Sequence, residues 1–543
     1  MGLEQVPNQN RTASARRRER HFGDRVVWCF ADRLSSVYGS FETAARAHAA
    51  ATAMRFGAQT WTYRELEAEV AALAEGFARI GVRAGDRVAM QIRNRPEFVF
   101  VFLAVQRLAA VCVPIDVRLQ GAEAGHVLAD AAARLWVHDR DMEDRLPKAL
   151  QIAPDTATLA LPEPAEPPLF AHLPRGPMAP ATAVAHEDDL ALILYTSGTT
   201  GKPKGAAVAH FNIVHSILHH LDNLGLTSAD RSLVSVPLSH ITGLICGLLG
   251  PLCSGGTLIL LAQFKANEFL RAAAQAQMTY TIMVPAMYNL CLRDEEFGRC
   301  DLSSWRIGHF GGAPMPRSTI DNLASKLPGL QLVNGYGATE TCSPATMWPV
   351  GEAVPLASVG RPMPCAEIMV IDPESGVEVA PGESGELWIR GPMVIKEYWN
   401  NARATGDGIV AGFWRSGDIG CIDAEGNVYV HDRLKDLINR GGYKVYSAEV
   451  EGVLAQCPGV VEAAVIARSD PVLGERVHAV VCTARTIPES ELAAFCASRL
   501  GDYKLPESWS LTSQPLPRTA TGKLDKKQLR AQLAGAAKAA SVG

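Results

Sequence analysis

Helix and strand patterns alternate early in the chain, and this alternation restricts the fold more than any other feature. The segment "TYRELEAEVAALAEGFARIG" offers Thr62 and Glu65 as a capping box, apolar residues at helical spacing, and Gly81 as a stop signal. Two short β-rich runs, "DRVAMQIRN" and "AAVCVPID", flank a second helical stretch. The pattern predicts an α/β protein whose sheets are rich in parallel strands.

Length and charge limit the number of domains and the kind of partner. The chain has 543 residues, 48% of them hydrophobic, which is too long for one compact core and predicts two or more domains. A net charge of −5 with no sustained basic face excludes nucleic acid and anionic membranes as partners, so we expect small ligands. The most apolar region, which begins at Ile241, is interrupted by Pro251, Gly255 and Gly256, and no membrane span is predicted.

The cysteines and the N-terminus indicate the cellular compartment in which the protein is expected. The twelve cysteines are scattered and never spaced as CxxC, so we expect neither a zinc site nor a disulfide framework, and the cytoplasm fits as a reducing compartment. The Arg-rich N-terminus lacks the apolar region of a secretory signal and predicts a disordered tail over residues 1–25, with a transit peptide as a minor alternative. The Pro-rich stretch 152–189 predicts a surface connection. A homodimer stays open.

The strand pattern "LALILYT" runs directly into a loop rich in glycine, hydroxyls and lysine. Backbone N–H groups that side chains leave uncovered cradle phosphate, and each lysine adds up to ~4 kcal/mol at 4 Å for an effective dielectric near 20. The loop is not a Walker A motif, because only two residues separate Gly198 from Gly201 where that motif needs four. The pattern predicts a polyphosphate ligand.

This loop, "YTSGTTGKPKG", and three later motifs resemble the signature set of the adenylate-forming superfamily, which includes acyl-CoA synthetases, adenylation domains of peptide synthetases and firefly luciferase. The later motifs are "NGYGATE" at 334–340, "WRSGD" at 414–418 and "PRTATGKLDK" at 517–526. The resemblance extends from about residue 62 to 527. It implies ATP, Mg²⁺ and coenzyme A as ligands.

The resemblance also implies an architecture. A large N-terminal domain over 26–434 would hold ATP and the acid, with parallel-rich sheets flanked by helices and a distorted β-barrel. A small mobile α+β domain over 435–543 would carry the catalytic lysine, and Lys435 would be the hinge. Within this second domain the sequence predicts a helix at "YSAEVEGVLAQCPGV", two strands and a second helix from about Glu489 to Leu500.

The nucleotide site follows from the resemblance residue by residue. Tyr336 would lie against adenine, Glu340 would hold Mg²⁺ beside the phosphates, and Asp418 with Arg433 would bind the ribose. The predicted nucleotide- and CoA-binding residues are Thr196, Ser197, Gly198, Thr199, Thr200, Lys204, Gly311, Gly312, Ala313, Tyr336, Gly337, Thr339, Asp418, Arg433, Gly442 and Lys444.

Four residues are predicted to act in catalysis: Lys523, Glu340, Thr196 and Lys204. In the family the lysine that matches Lys523 contacts the substrate carboxylate and the α-phosphate, where loss of a comparable electrostatic group costs about 10²–10³ in rate. Rotation about Lys435 would then withdraw that lysine and bring "NRGGYKV" to the site for attack by a thiol.

The acid would bind along "PLSHITGLIC", "MVPAMYNL", "HFGGAP" and "GYGATETCSP", where His240 matches the family's gate residue. No Arg or Lys lies in these segments, which argues against a dicarboxylate because a buried second carboxylate needs a partner charge. His215 and His219 lack the glutamate of HExxH and are not expected to bind metal. The predicted acid-binding residues are His240, Ile241, Thr242, Cys246, Met283, Met287, Gly335, Ala338 and Cys342.

Three functions compete. The first is an acyl-CoA ligase for a fatty, aromatic or alicyclic monocarboxylic acid. The second is a stand-alone enzyme that loads an aryl or acyl acid onto a separate carrier protein; amino acids are disfavoured because no Asp follows the gate position. The third is an inactive nucleotide-binding scaffold, which the presence of Glu340, Asp418 and Lys523 disfavours.

Overall fold

The structure is a computed structural model that describes residues 15–162, 184–196, 203–518 and 524–533. Predicted site residues Ser197, Gly198, Thr199, Thr200 and Lys523 lie outside these ranges. Within them the strands are β1 Arg16–His21, β2 Arg25–Phe30, β3 Thr52–Phe56, β4 Gln59–Thr62, β5 Arg87–Gln91, β6 Val111–Pro114, β7 Leu135–Asp139, β8 Ala157–Leu161, β9 Leu190–Thr196, β10 Lys204–Ala209, β11 Arg231–Val234, β12 Thr257–Leu260, β13 Tyr280–Met283, β14 Ile307–Gly311, β15 Gln331–Ala338, β16 Ser343–Met347, β17 Arg361–Pro362, β18 Glu367–Ile371, β19 Gly385–Arg390, β20 Glu397–Tyr398, β21 Ile409–Val410, β22 Phe413–Ile422, β23 Val428–Arg433, β24 Ile438–Arg440, β25 Tyr443–Val445, β26 Val460–Asp470, β27 Gly474–Thr483 and β28 Ser508–Thr512.

The α-helices pack on these strands. They are α1 Val37–Ala47, α2 Tyr63–Arg79, α3 Pro96–Arg107, α4 Gly121–Asp130, α5 Leu146–Ile152, α6 His210–Leu224, α7 Gly250–Cys253, α8 Ala266–Gln275, α9 Pro285–Arg293, α10 Arg317–Lys326, α11 Ala402–Gly408, α12 Ser447–Leu454 and α13 Glu489–Ala497. A π-helix over Gly243–Leu249 precedes α7.

The chain divides into two compact units. The first comprises residues 1–368, 388–415 and 426–428, and the second comprises 369–387, 416–425 and 429–543. The predicted boundary at 434/435 stays a prediction.

Two large sheets form the first unit, and both are mainly parallel. The seven-stranded sheet has the order β20-β10-β9-β6-β5-β7-β8, and the nine-stranded sheet has the order β17-β16-β15-β14-β13-β11-β12-β3-β4. Antiparallel strands are added only at their edges: β10 and β20 in the first, and β4, β16 and β17 in the second. Together with the helices between strands, this arrangement confirms the α/β class.

Helix α2 shows how local signals place an element in the core. Thr62 Oγ1 accepts from the backbone N–H of Glu65, and the Glu65 carboxylate accepts from the backbone N–H of Thr62, so the predicted capping box is confirmed. The predicted apolar stripe is buried and joins the main core, at Leu66, Val70, Leu73 and Phe77. The helix ends at Arg79, two residues before Gly81, which takes a left-handed φ of 93°.

The second unit contains the predicted α+β elements. Helix α12, strands β26 and β27 and helix α13 follow in the predicted order. Strand β26 pairs antiparallel with β27, from the pair Val460–Thr483 to the pair Asp470–Gly474. The strands β24, β25 and β28 complete a five-stranded sheet around this ladder. Another small sheet, formed by strands between residues 367 and 433 that belong partly to each unit, has the order β18-β19-β22-β21 with β23 paired to β22 and corresponds to the predicted barrel as an open sheet.

The N-terminal region differs from its prediction where the structure describes it. Residues 16–21 form β1 and pair antiparallel with β2, whereas the sequence predicts a disordered tail up to residue 25. Pairing is favourable because His21 packs on Phe211 with ring centroids 3.8 Å apart and binds Asp188 at 2.7 Å. The stretch 152–189 likewise contains an edge strand, β8. Among the described residues, no helix is long and apolar enough to cross a membrane.

Candidate active site

Most predicted site residues of the first unit lie at one edge of the nine-stranded sheet. Strands β11, β13, β14 and β15 are parallel neighbours, so their carboxyl ends meet at the same edge. His240 lies in the loop after β11, Met283 ends β13, Gly311 ends β14 and Ala338 ends β15. Ligands of open α/β sheets bind at this edge, because helix N-termini and loops converge there.

The predicted phosphate loop joins two antiparallel strands. Strand β9 ends at Thr196 and β10 begins at Lys204, and these two residues are paired across the ladder. Thr196 Oγ1 lies 3.5 Å from the carbonyl oxygen of Lys204. The strands on either side of the loop are thus antiparallel neighbours, whereas a Walker A loop leads from a strand into a helix. This geometry agrees with the spacing argument made from the sequence.

Glu340 has a partner that the sequence analysis missed. The hydroxyl of Tyr398 donates a 3.0 Å hydrogen bond to Glu340 Oε1 and accepts one from Trp414 Nε1 at 3.3 Å. Lys204 Nζ lies 5.4 Å from the centre of the Tyr398 ring. Burial, together with the Glu340 charge, raises the pKa of Tyr398 well above its usual value, so its hydroxyl stays a donor at neutral pH. Tyr398 therefore links the phosphate-loop lysine to the predicted magnesium ligand.

Two glycines allow strands β14 and β15 to approach closely at the site. Gly311 and Gly335 are paired across these strands, and a β-carbon on Gly311 would lie 2.5 Å from the Gly335 carbonyl oxygen. Gly312 follows with a φ of 78°, which L side chains rarely adopt. Gly312 and Ala313 are exposed, and Tyr336 is half-buried on β15. The backbone at this edge is therefore accessible, as an adenine site requires.

The remaining residues of "NGYGATE" form a tight turn. A β-carbon on Gly337 would lie 2.5 Å from the Ser343 carbonyl oxygen, so only glycine fits there. Thr339 and Glu340 lie in the short 3-10 helix that follows β15. The backbone N–H of Ile395 donates to the Glu340 carbonyl oxygen at 2.9 Å, which fixes the turn against the segment that leads to Tyr398.

The predicted acid-binding residues share an apolar region. Ile241, Cys246 and Cys342 are buried in the main core cluster, and the half-buried Met287, Tyr336 and Ala338 pack against it. Met283 belongs to the neighbouring cluster, which also contacts Met287. Thr242 is exposed. Cys246 lies within the π-helix, an irregularity that is common at functional sites.

His240 pairs with an acid that the sequence analysis did not single out. Its Nε2 atom lies 3.4 Å from Asp116 Oδ2, and Arg118 binds both oxygens of the same carboxylate at 3.0 and 2.5 Å. Burial raises the pKa of Asp116, but the contact with His240 and the hydrogen bonds from Arg118 outweigh burial and hold it at about 2. Asp116 is therefore ionised at neutral pH and fixes the orientation of the His240 ring.

The predicted ribose pair and hinge lie in the second unit. Arg433 Nε binds Asp418 Oδ1 at 2.6 Å, and the Asp418 side chain is buried while half of the Arg433 side chain is exposed. Lys435 is exposed between two anchors: Asp432 accepts a 2.7 Å hydrogen bond from Ser447, and Asp436 pairs with Arg530 at 2.5 Å.

The predicted CoA-step segment is a two-residue hairpin. Gly441 and Gly442 connect β24 to β25 with φ values of 58° and 92°, the signs that a type I′ turn requires. Lys444 lies on β25 and pairs with Glu374 at 3.4 Å. An exposed ion pair of this kind contributes about 0–1 kcal/mol, so Lys444 can leave it at little cost.

The fold and this arrangement are those of an adenylate-forming enzyme. The chain belongs to the family described as AMP-binding enzyme, whose model matches residues 41–399, and the model of the AMP-binding enzyme C-terminal domain matches residues 449–523. The resemblance stated from the motifs is thereby confirmed.

The curated relatives are similar over nearly their whole length. A feruloyl-CoA synthase from an Amycolatopsis species is 37% identical over 483 residues, which are 88% of this chain and 95% of the relative. The long-chain-fatty-acid–CoA ligase FadD13 of Mycobacterium tuberculosis is 33% identical over 485 residues, covering 87% and 93% of the two chains.

Solved structures agree with these relatives. The o-succinylbenzoate CoA synthetase of Bacillus subtilis, in complex with its acyl-adenylate intermediate, has a TM-score of 0.83 and 31% identity and covers 92% of this chain and 98% of its own. The same synthetase is also known in complex with ATP and magnesium ion, with a TM-score of 0.82, 31% identity and coverage of 92% and 100%. The predicted fold class is confirmed.

Proposed function

We propose that the protein is an ATP-dependent acyl-CoA ligase that forms AMP, and that it activates a monocarboxylic acid. The observation that supports this most is the shared sheet edge, where Tyr336 packs against the apolar cluster that contains Ile241 and Cys246, and where Glu340 follows the end of β15. The reaction class, an acid–thiol ligase that uses ATP and CoA, is confirmed by the CoA ligases among its relatives. The identity of the acid and the roles of single residues are the parts proposed.

In the first half-reaction an oxygen of the acid's carboxylate attacks the α-phosphorus of ATP. A new P–O bond forms, the bond to the β-phosphate oxygen breaks, and pyrophosphate leaves with the electron pair. Lys204, held at the start of β10, and Lys523 stabilise the negative charge that spreads over the phosphate oxygens. We propose that Thr196 and Lys204, which are paired at the ends of β9 and β10, bind the phosphates and that Tyr336 binds adenine. The Asp418–Arg433 pair is the proposed ribose partner.

In the second half-reaction the CoA thiolate attacks the acyl carbonyl carbon. A C–S bond forms, the bond from that carbon to the AMP phosphate oxygen breaks, and AMP leaves. Rotation about the exposed Lys435 would exchange Lys523 for the hairpin that carries Gly442 and Lys444. The left-handed glycines of this turn carry no side chain, which leaves room for a pantetheine arm.

Mg²⁺ fits the residues present. It prefers one or two carboxylates together with substrate phosphates, and Glu340 is a carboxylate on the turn that follows β15. The Tyr398 hydrogen bond orients this carboxylate. When bound, Mg²⁺ neutralises charge on the triphosphate.

The apolar surroundings of Ile241, Cys246 and Met287 support a fatty, aromatic or alicyclic acid. Loading of a separate carrier protein is the second candidate, because an exposed turn such as Gly441–Gly442 would admit either kind of pantetheine thiol.

We also propose that the protein is cytoplasmic. All twelve cysteines lie within the described residues and are free thiols, which supports the cytoplasm. A homodimer is tested by measuring the mass in solution.

An acid panel tests the proposal. The full-length protein is incubated with ATP, Mg²⁺ and each acid, with and without CoA, and pyrophosphate, AMP and thioester are measured. Thioester formed with CoA alone supports the ligase. Pyrophosphate release without transfer to CoA would favour the carrier-loading enzyme, and no release with any acid would favour the inactive scaffold.

A further inference from the structure

A cluster of polar side chains is buried beside the acyl region of the first unit. It consists of His220 on α6, Cys246 in the π-helix, Tyr280 on β13, His309 on β14 and Ser343 on β16. His220 is 0% exposed, Cys246 1% and His309 2%. One ligand atom from each of these three lies within 4.8 Å of the others. We call these five residues the histidine cluster.

The hydrogen bonds of His220 fix its tautomer. Its Nδ1 atom lies 2.7 Å from the carbonyl oxygen of Ser216, which can only accept, so the proton is on Nδ1. Its Nε2 atom is therefore an acceptor, and it is buried without a hydrogen-bond partner among the described residues. Burial lowers the pKa of His220 to about 4, which keeps the ring neutral. A buried acceptor without a partner is destabilising unless a ligand supplies a donor.

The hydrogen bonds of His309 also fix its tautomer. The Tyr280 hydroxyl donates to the carbonyl oxygen of Cys246 at 3.2 Å, so its oxygen accepts from His309 Nδ1 at 3.3 Å. The second nitrogen of His309, Nε2, is then also an acceptor. Burial keeps the pKa of His309 well below its usual value, so this ring is neutral as well. The two imidazole rings lie with their centroids 5.8 Å apart.

The cluster adjoins residues that the acyl pocket is proposed to use. Cys246 is one of them, and its Sγ atom lies 2.9 Å from Ser343 Oγ. Gly335 is another, and a β-carbon there would lie 2.5 Å from His309 Nε2. The turn with Glu340 is half-buried, whereas His220, Cys246 and His309 are buried.

We propose that His220 and His309 form a polar inner end of the acyl pocket and select an acid that carries a hydroxyl group remote from its carboxylate. This inference rests on the proposed acyl-CoA ligase function. The hydroxyl donates to a histidine Nε2 atom, and its oxygen can accept from the Cys246 thiol or the Ser343 hydroxyl. A wholly apolar acid leaves the buried Nε2 atom of His220 unpaired, so discrimination comes from the site's own polar atom.

Matched acids test the selection in the wild-type protein. The ligase rate is measured with 4-hydroxycinnamate, cinnamate and 4-methoxycinnamate, and with 12-hydroxydodecanoate and dodecanoate. We expect kcat/KM to be roughly 10- to 100-fold higher for the hydroxy acid in at least one series, and the methoxy acid to lose this advantage because it cannot donate. Activation of all five acids at equal efficiency overturns the selection but leaves the ligase function intact. If none is activated while another acid in the broader panel is, the same comparison is made with hydroxylated and unhydroxylated forms of that acid.

Single substitutions test whether the histidine cluster causes the preference for hydroxy acids. His220→Phe and His309→Phe keep a ring but remove the acceptor, and we expect each to bring the hydroxy/non-hydroxy ratio towards one. His219→Phe is the matched control, since His219 is buried on the same helix and contacts Phe30, and it should keep the wild-type ratio. Loss of the preference in the control as well would refute a specific role.

A metal ion is the competing occupant, because two imidazoles and a thiol in this proximity could bind one. Elemental analysis of the purified full-length protein decides between them. We expect no stoichiometric transition metal. A stoichiometric metal that Cys246→Ser removes would overturn the proposal and assign the cluster to that metal.

Discussion

The hydroxyl of Tyr398 offers a direct test of the proposed magnesium ligand. Tyr398→Phe removes the 3.0 Å hydrogen bond to Glu340 Oε1 and keeps the ring over which Lys204 lies. A hydrogen bond to a charged group contributes about 1.5–3 kcal/mol. At a factor of ten per 1.36 kcal/mol, full expression of this energy in the transition state corresponds to roughly 10- to 150-fold in rate. We expect kcat/KM for Mg-ATP in pyrophosphate release to fall by about this factor.

The same substitution should also reduce stability. It leaves Trp414 Nε1, a buried donor, without its 3.3 Å partner, which costs about 1–3 kcal/mol and lowers Tm. Tyr429→Phe is the matched control, because the Tyr429 hydroxyl donates to Asp423 over the same 3.0 Å in a half-buried hairpin of the second unit. An unchanged magnesium and ATP dependence in Tyr398→Phe, with the expected loss of Tm, would refute the view that this hydroxyl orients a catalytic carboxylate.

Four further predictions concern single positions. Lys523→Ala should stop acyl-adenylate formation but spare transfer of a supplied acyl-adenylate to CoA; equal loss of both half-reactions refutes separate roles. Lys435→Pro should spare adenylation and block thioester formation, and the idea fails if both rates fall together. Asp116→Asn should lower Tm at pH 5–8, where the carboxylate is ionised. The pKa of Asp116 is depressed to about 2, so the ionised carboxylate stabilises the folded protein at pH values above its ordinary pKa of 3.8, and this stabilisation is lost as the pH falls towards 2. The difference in Tm between the wild type and Asp116→Asn should therefore narrow with acid, and a constant difference contradicts this. Gly311→Ala should destabilise by about 1–3 kcal/mol because its methyl group meets a backbone oxygen of β15, whereas Gly329→Ala, which meets nothing within 4 Å, should not; equal denaturant midpoints would contradict the close approach.

Local signals were sufficient for much of the fold. The helix α2 was predicted with its cap and its stop because these depend on neighbours three or four residues away. The helices and strands of the second unit follow from periodicity for the same reason. The strand β1 was missed because four of its six residues are arginine, and what orders it is the long-range contact of His21 with Asp188 and Phe211. The charge of a segment can be read from its own residues, but whether it forms a strand such as β1 depends on residues that are distant in sequence.

The residues of the candidate site also fall into those that local sequence predicts and those that it does not. Motifs that are continuous in sequence, such as "NGYGATE", could be recognised directly, and the order of parallel strands then explains why they meet at one edge. Tyr398 and Asp116 could not be found, because they lie 58 and 124 residues from Glu340 and His240 and share no motif with them. Of the histidine cluster, the sequence identified Cys246 as an acid-binding residue, but nothing in it indicated His220.

Tyr398 and Asp116 have a physical role that differs from that of the motif residues. The motif residues contact ligands, so their types follow from the chemistry of phosphate, ribose and carboxylate. Tyr398 and Asp116 act one contact further out, where any donor or carboxylate with the correct geometry would serve, and so the sequence alone holds no signal for them. The histidine cluster differs from both. The unpartnered Nε2 atom of His220 destabilises the folded protein by itself, and a polar substrate is what would offset that cost. We therefore expect substrate preference within this family to depend on buried residues outside the motifs, and His220→Phe to change which acid is used without abolishing adenylation.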